Sequence, residues 1–286
     1  ELADVSGLVR LPSGETAPMT ATTYGTGELI AAAIDAGCTR VILGIGGSAS
    51  TDGGTGLIAA LAAGLTHSQG STPAMVGLDG RLGRRLKGVQ VVVACDVDNP
   101  LTGPRGAAAV YGPQKGATAE QIVELDVRLS AWADLVAEHT GRDLRDVPGA
   151  GAAGGVGFAA LALLGAELRP GIELILDLVG FHEQLAGADL VITGEGGLDE
   201  QTLHGKAVAG VAAAVSPGIP VVAVCGVNRL EPHRLQDIGV QAAYALTDLE
   251  PDVQRCIAEP KPLLERLGER IAVEHLTMTR RERGDA

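Results

Sequence analysis

Aromatic side chains are almost missing from this chain: two Phe, three Tyr and one Trp stand among 286 residues. A β-sandwich, whose core leans on aromatics, is thereby disfavoured. Val, Leu, Ile and many Ala must fill the interior, and hydrophobic residues make up 46% of the chain. That composition suits closely packed helices and strands of an α/β protein, in one large domain or two ordinary ones. Positive charge is also scarce, and the formal net charge is −13. No basic block points to nucleic acid, and no basic amphipathic helix points to a membrane surface. No apolar run reaches transmembrane length and no signal peptide is visible, so the expected location is cytoplasmic. Cys38, Cys95, Cys225 and Cys256 lie far apart without a C-x-x-C pair. They read as reduced structural thiols. The acidity repels anionic ligands at long range. A phosphate or carboxylate ligand therefore needs local donors, a helix N-terminus or a metal.

What is abundant is a repeated order of apolar strand, Gly/Asp-rich loop and helix. "RVILGIG", "VQVVVACDVDNPL", "ADLVITG", "IPVVAVCGV" and "VQAAYALTD" read as strands of a largely parallel sheet covered by helices. Ile122, Leu125, Leu129, Trp132 and Val136 repeat at helical spacing. Thr26 is expected to cap a helix from about Glu28 to Ala36. "PGAGAAGGVGFAALALLGAEL" reads as a glycine-rich loop feeding an apolar helix. Residues 1–20, broken by Gly7, Pro12, Gly14 and Pro18, read as the tail of something rather than the start of a domain. The boundary between domains is expected near Gly187, where a fresh strand-loop-helix series begins.

Ligands of such sheets bind beyond the C-terminal ends of the strands, and three loops occupy that place. The first is "GIGGSASTDGGTG", residues 44–56. It fits a loose dinucleotide pattern, but the acidic partner about twenty positions on is absent. No Walker A motif is present: Gly205-Lys206 lacks the upstream glycine and the following Ser/Thr. What remains is an anion cradle. Gly46, Gly47 and Gly53 free the backbone amides, and Ser48, Ser50 and Thr51 add hydroxyls. Asp52 would repel an anion unless it binds a metal, accepts a hydrogen bond or braces the loop. The plainer alternative is a tight crossover with Asp52 as an N-cap.

The second loop carries Asp96, Asp98 and Asn99, oxygen donors suited to Mg2+ or, more plainly, to turn formation. The third, "ITGEGGLDEQTLHGKA", is the densest. Gly194, Glu195, Asp199, Gln201, Thr202, His204 and Lys206 follow a buried strand. Phosphoryl transfer needs a cation for phosphate charge, a carboxylate-held metal and a group that orients the hydroxyl. Lys206, Glu195 and Asp199 are the candidates for these tasks in that order. His204 is a catalytic candidate with a structural alternative. Lys115 in "GPQKGA" is a further phosphate contact or an ordinary surface lysine.

With these loops in view, the chain resembles the bacterial-type glycerate kinase family. The matching stretches are "TTYGTGELI", "GIGGSASTDGGTG", "ACDVDNPLTGPRGAAAVYGPQKGAT", "VPGAGAAGGVGFA", "LGAELRPGIELILD" and "ADLVITGEGGLDEQTLHGKAVAGVA". They cover most of residues 20–225. The resemblance implies ATP-dependent phosphorylation of D-glycerate to 2-phosphoglycerate with Mg2+, and it admits a homodimer. It implies two α/β domains with the site in the cleft between them. Residues 1–187 would be an inserted domain, and 188–286 the C-terminal part of a flavodoxin-like domain that is incomplete here. By residue type and placement, Gly46, Gly47 and Ser48 would help form the cradle, and Asp52, Asp96 or Glu195 would act near Mg2+. The departures are a missing N-terminal strand and loop, Thr51 in place of Asn, Gly197 in place of Arg, and a shortened segment around His67–Gly77. The missing piece carries the expectation of weak binding or turnover, and an alternative reading as a non-catalytic remnant that binds a small acidic metabolite or nucleotide.

Overall fold

The computed structural model describes residues 1–63, 81–204 and 207–276. The segment around His67–Gly77, residues Gly205 and Lys206, and the charged tail "TRRERGDA" lie outside the described residues. The chain divides into two compact units, Glu1–Gly171 and Ile172–Ala286. Each is an α/β unit built on a parallel three-stranded sheet.

In the first unit the strands run β1 (Arg40–Gly44), β2 (Gln90–Ala94) and β3 (Glu167–Arg169), with β2 in the centre. The register pairs Leu43 with Val93 and Val93 with Leu168. Val91, Val92 and Val93 of β2 are all buried, as a strand covered on both faces requires. Leu43, Val91 and Val93 pack with Leu57, Ile58, Leu61 and Val156. A second cluster forms where the helix Ala119–Thr140 lays Leu125, Leu129, Trp132 and Val136 against Leu101 and Phe158. Thr118 opens that helix with a capping box to Gln121.

The structure differs from three local expectations. Residues 1–11, read as part of the tail of something, pack into the first unit: Leu2 is fully buried, its amide donates to the Gly44 carbonyl, and Gly7 bridges Ser48. Thr26 is no cap. The helix runs Tyr24–Asp35, and the buried Thr26 hydroxyl pairs with Ser6 Oγ at 2.8 Å. The Gly165–Leu168 stretch does not extend the apolar helix. Left-handed Gly165 ends it and Glu167–Arg169 joins the sheet as β3.

In the second unit the order is β4 (Val191–Leu198), β5 (Val221–Asn228) and β6 (Ala242–Ala245). One face, with Ala223 and Cys225, packs on Val208 and Ala212 of the helix Ala207–Ala214. The other, with Val222 and Tyr244, packs on Leu267 and Ile271 of the helix Pro260–Ile271.

The glycine-rich loop after β1 lies directly against a second glycine-rich stretch at the head of the helix Ala152–Leu163. There Ala153, Gly154 and Gly155 are consecutively left-handed. A Cβ on Gly154 would stand 2.1 Å from the Ser50 carbonyl oxygen and 2.7 Å from Thr51 Cα. Gly154→Ala therefore adds a backbone clash to the left-handed cost. Gly165→Ala, also left-handed but with nothing within 4 Å of its Cβ, adds only the latter. The first variant is expected to lose about 2 kcal/mol more than the second in chemical denaturation. Equal losses would show that the seam yields freely.

Candidate active site

The loop from Gly44 to Gly56 turns two faces to two cavities. Gly46, Gly47 and Ser48 line one of about 400 Å³, together with Asp96, Tyr111 and Lys115. Thr51 and Asp52 line another of about 200 Å³, beside Thr55, Leu129 and Trp132. Ser50 lies beneath, fully buried, and its hydroxyl and that of Thr51 have no partner among the described residues. The Gly53 carbonyl accepts the Trp132 indole N–H at 3.0 Å, and the Gly53 amide donates to the Gly154 carbonyl at 2.9 Å. The structure brings Gly46, Gly47, Ser48 and Lys115 to one cavity, whereas Thr51 and Asp52 face another.

Lys115 is no surface lysine. It is 1% exposed and donates to Ser48 Oγ at 2.8 Å and to the Ser50 carbonyl at 2.5 Å. Burial pushes its ammonium down from 10.5 to about 8, and the charge of Asp52 opposes that shift. It sits on the short turn Pro113–Lys115, closed by left-handed Gly116, which holds the side chain inward.

Asp52 braces the loop. Its Oδ2 accepts from the Thr22 hydroxyl, the Thr23 amide and hydroxyl, and the Gly56 amide. Its Oδ1 accepts from the Gly54 amide. The Thr23 hydroxyl in turn accepts the Leu57 amide at 2.9 Å. One carboxylate thus joins the starts of two helices, Tyr24–Asp35 and Thr55–Ala63, whose positive ends favour it. Thr22 and Thr23 were not singled out from the sequence, and Trp132 was read only as part of a helical stripe. A pair of threonines just before a helix, and one indole N–H that needs an acceptor on burial, are the signals that could have found them.

At the end of β2, Asp96 Oδ1 accepts the Gly171 amide at 2.7 Å. Asp98 pairs with Arg105, and Asn99 accepts the Tyr111 hydroxyl at 2.5 Å. These contacts link the loop to residues well beyond it rather than closing a single turn. The Cys95 thiol beside them donates to the Val97 carbonyl, and burial raises its pKa. Among the described residues no three His, Cys, Asp or Glu side chains converge in a way that could hold a metal ion.

In the second unit, buried Thr202 organises the third loop. Its hydroxyl donates to Glu195 Oε1 and accepts the Asp199 amide at 3.1 Å, while its amide donates to the Asp199 carbonyl. Asp199 Oδ1 accepts the Gln201 amide at 2.9 Å. Glu195, Asp199, Gln201 and Thr202 are therefore brought together, with Gly194 one residue upstream on β4. Among the described residues, neither Glu195 Oε2 nor Asp199 Oδ2 has a hydrogen-bond donor. The His204 backbone lies in the turn Thr202–His204; its side chain and Lys206 are outside what is described.

The chain is similar to known proteins over most of its length. The sequence model of the Glycerate kinase family matches residues 1–276. A Glycerate kinase of Bacillus subtilis (strain 168) is 46% identical over 257 residues, covering 86% of this chain and 67% of the relative. The Glycerate 2-kinase of Escherichia coli (strain K12) is 42% identical over 259 residues, covering 86% and 67%. A crystal structure from Salmonella typhimurium LT2, described as a glycerate kinase 2, superposes with a TM-score of 0.70 at 42% identity, covering 85% of this chain and 66% of its own. The chain thus spans about two thirds of the length of these relatives.

Two stability measurements test this geometry. Asp52→Ala strands several N–H and O–H donors and is expected to cost about 2–4 kcal/mol in thermal or chemical unfolding. An unchanged melting temperature would deny the bracing role. Lys115 carries a pH signature. Below pH 8 it is charged both folded and unfolded, and its burial penalty is fully present. Between about 8 and 10.5 the unfolded chain binds more protons, so stability rises with pH. The expected gain is about 3 kcal/mol across that window, absent in Lys115→Met.

Proposed function

The chain belongs to the glycerate kinase family, and on that premise we propose that it transfers the γ-phosphoryl group of ATP to a hydroxyl of D-glycerate. The product of this reading is 2-phosphoglycerate, and the observation that carries it is the 42% identity to the E. coli Glycerate 2-kinase. The arrangement around Thr202 supports a phosphotransferase. It holds two carboxylates near one another at a strand end, each with an oxygen that the described residues leave open.

Asp199 is the group proposed to orient the glycerate hydroxyl and take its proton as the oxygen bonds to the γ-phosphorus and the bond to ADP breaks. Its backbone is fixed from both sides by Thr202, and its Oδ1 by Gln201, so Oδ2 has a set direction. Glu195 is the better candidate for Mg2+. A hard oxygen ligand that also leaves room for water and phosphate fits this ion. Asp52 does not fit as well, because five protein donors already use its carboxylate. Bound at Glu195, Mg2+ would neutralise charge on the ATP phosphates. Lys206 is proposed for the same charge. The four free thiols agree with a reducing cytoplasm, where ATP is also at hand.

The test is ADP release coupled to a reporter, with D-glycerate, ATP and Mg2+, and phosphorus NMR of the product. Glycerate-dependent release with a 2-phosphoglycerate signal is expected. A folded protein that releases no ADP in response to glycerate would overturn the reading. Asp199→Asn is expected to lower kcat by about 10²–10⁴ with little change in melting temperature. A nearly unchanged kcat would remove Asp199 from the role. Thr202→Val, which frees Glu195, is expected to raise the Mg2+ concentration needed for half-maximal rate by about tenfold.

A further inference from the structure

The Lys115 ammonium is sealed from solvent, yet both of its acceptors, Ser48 Oγ and the Ser50 carbonyl, are neutral. Among the described residues no carboxylate comes within ion-pair distance of it. The charge of Asp52 acts on this ammonium without an ion-pair contact, and five protein donors already use that carboxylate, so the buried charge stays costly unless something else supplies a closer counter-charge. Ser48 Oγ is the acceptor in its bond to Lys115, so its own proton is left over. Among the described residues that proton has no acceptor. Ser48 and Lys115 both line the cavity of about 400 Å³, beside Gly46 and Gly47. Gly46 differs from the glycines of the seam: a Cβ there would meet nothing within 4 Å. Packing does not explain that glycine, whereas open space for a ligand does. The exposed Asp96 carboxylate lines the same cavity and can accept a hydroxyl proton.

We propose that this cavity is an oxyanion subsite in which the Ser48 hydroxyl donates to a carboxylate or phosphoryl oxygen, while Lys115 stands behind Ser48 as a positioning residue and supplies the counter-charge. Lys115 does not reach the ligand as a flexible surface cation would. It fixes the Ser48 lone pair and so turns the hydroxyl proton toward the cavity. The anion, once bound, stabilises the ammonium, so binding at alkaline pH draws a proton onto Lys115. Asp96 favours a ligand that carries a hydroxyl near its anionic end. The inference rests on the glycerate kinase reading only for the choice of ligands.

Titration calorimetry with D-glycerate, and separately with a non-hydrolysable ATP analogue plus Mg2+, tests it. The proteins are wild type, Ser48→Ala, Ser48→Thr and Lys115→Met, each at pH 7 and pH 9 in two buffers of different ionisation enthalpy. Folded Ser48→Ala should weaken one of the two ligands by about tenfold or more. Ser48→Thr, which keeps the hydroxyl, should restore most of the affinity. Wild type should take up a proton with that ligand at pH 9, and Lys115→Met should not. Loss confined to glycerate marks a carboxylate; loss confined to the analogue marks a phosphoryl group. Unchanged affinity for both ligands in folded Ser48→Ala overturns the subsite, as does binding by wild type without proton uptake at pH 9. Neither readout needs Lys115→Met to fold. Calorimetry needs no turnover either. Ser48-dependent binding without ADP release would refute the kinase reading and keep the subsite, whereas normal ADP release by Ser48→Ala at unchanged KM for both substrates would do the reverse.

Discussion

The first unit depends on one backbone contact, the amide of Gly53 against the carbonyl of Gly154 at 2.9 Å. Two loops can meet that closely only where side chains are absent. A Cβ on Gly54 would lie 2.5 Å from Ala159 Cβ, and one on Gly155 would lie 2.7 Å from Gly53 Cα. The contact sets the height of the loop after β1, and other interactions follow from it. The Gly53 carbonyl is placed for Trp132, the Ser50 carbonyl for Lys115, and the Asp52 carboxylate for the starts of two helices. Much of the glycine in this loop therefore serves backbone packing. The stretch at Gly46 and Gly47 opens instead on a cavity of about 400 Å³.

Charge is distributed with the same economy. The chain carries a net charge of −13, which opposes an anionic ligand at long range. Its carboxylates near the strand ends are largely occupied locally: Asp52 with five donors, Asp96 with the Gly171 amide, Asp98 with Arg105. A carboxylate that accepts several N–H bonds is held in place by them, so it presents less charge to a neighbouring ligand. Against this background one buried ammonium can dominate a small cavity, because low polarisability around it leaves its field poorly screened. In the second unit the polarity is reversed. There Thr202 holds two carboxylates in place, an arrangement suited to a proton and a cation rather than to a bare anion.

Much of this was readable in the residues. The parallel α/β character and the buried stripe of the helix Ala119–Thr140 follow from periodicity. The third loop reads in the sequence as starting near Thr193, whereas β4 continues through Gly194 and Glu195 to Leu198, because pairing with β5 holds this glycine-rich stretch extended. The family was legible from long ordered motifs. Other features were not. The place of Leu2 was not legible, because its amide bonds to the end of β1 more than forty positions away and no local pattern reports such a contact. β3 is three residues long, too short for its alternation to stand out beside the apolar helix before it. Lys115 read equally well as a surface lysine, since one residue carries no periodicity.

The sequence by itself determined the longer helices and most of the strands, because propensity and hydrophobic spacing act over a few neighbouring positions. Only the tertiary structure decided what the polar residues of the loops face. Ser48 and Lys115 are 67 positions apart and meet at 2.8 Å. Asp52 and Thr23 are 29 apart and meet at 2.9 Å. Each pairing depends on the seam between two glycine stretches about a hundred residues apart, and a hydrogen bond has no memory of the chain length that separates its partners.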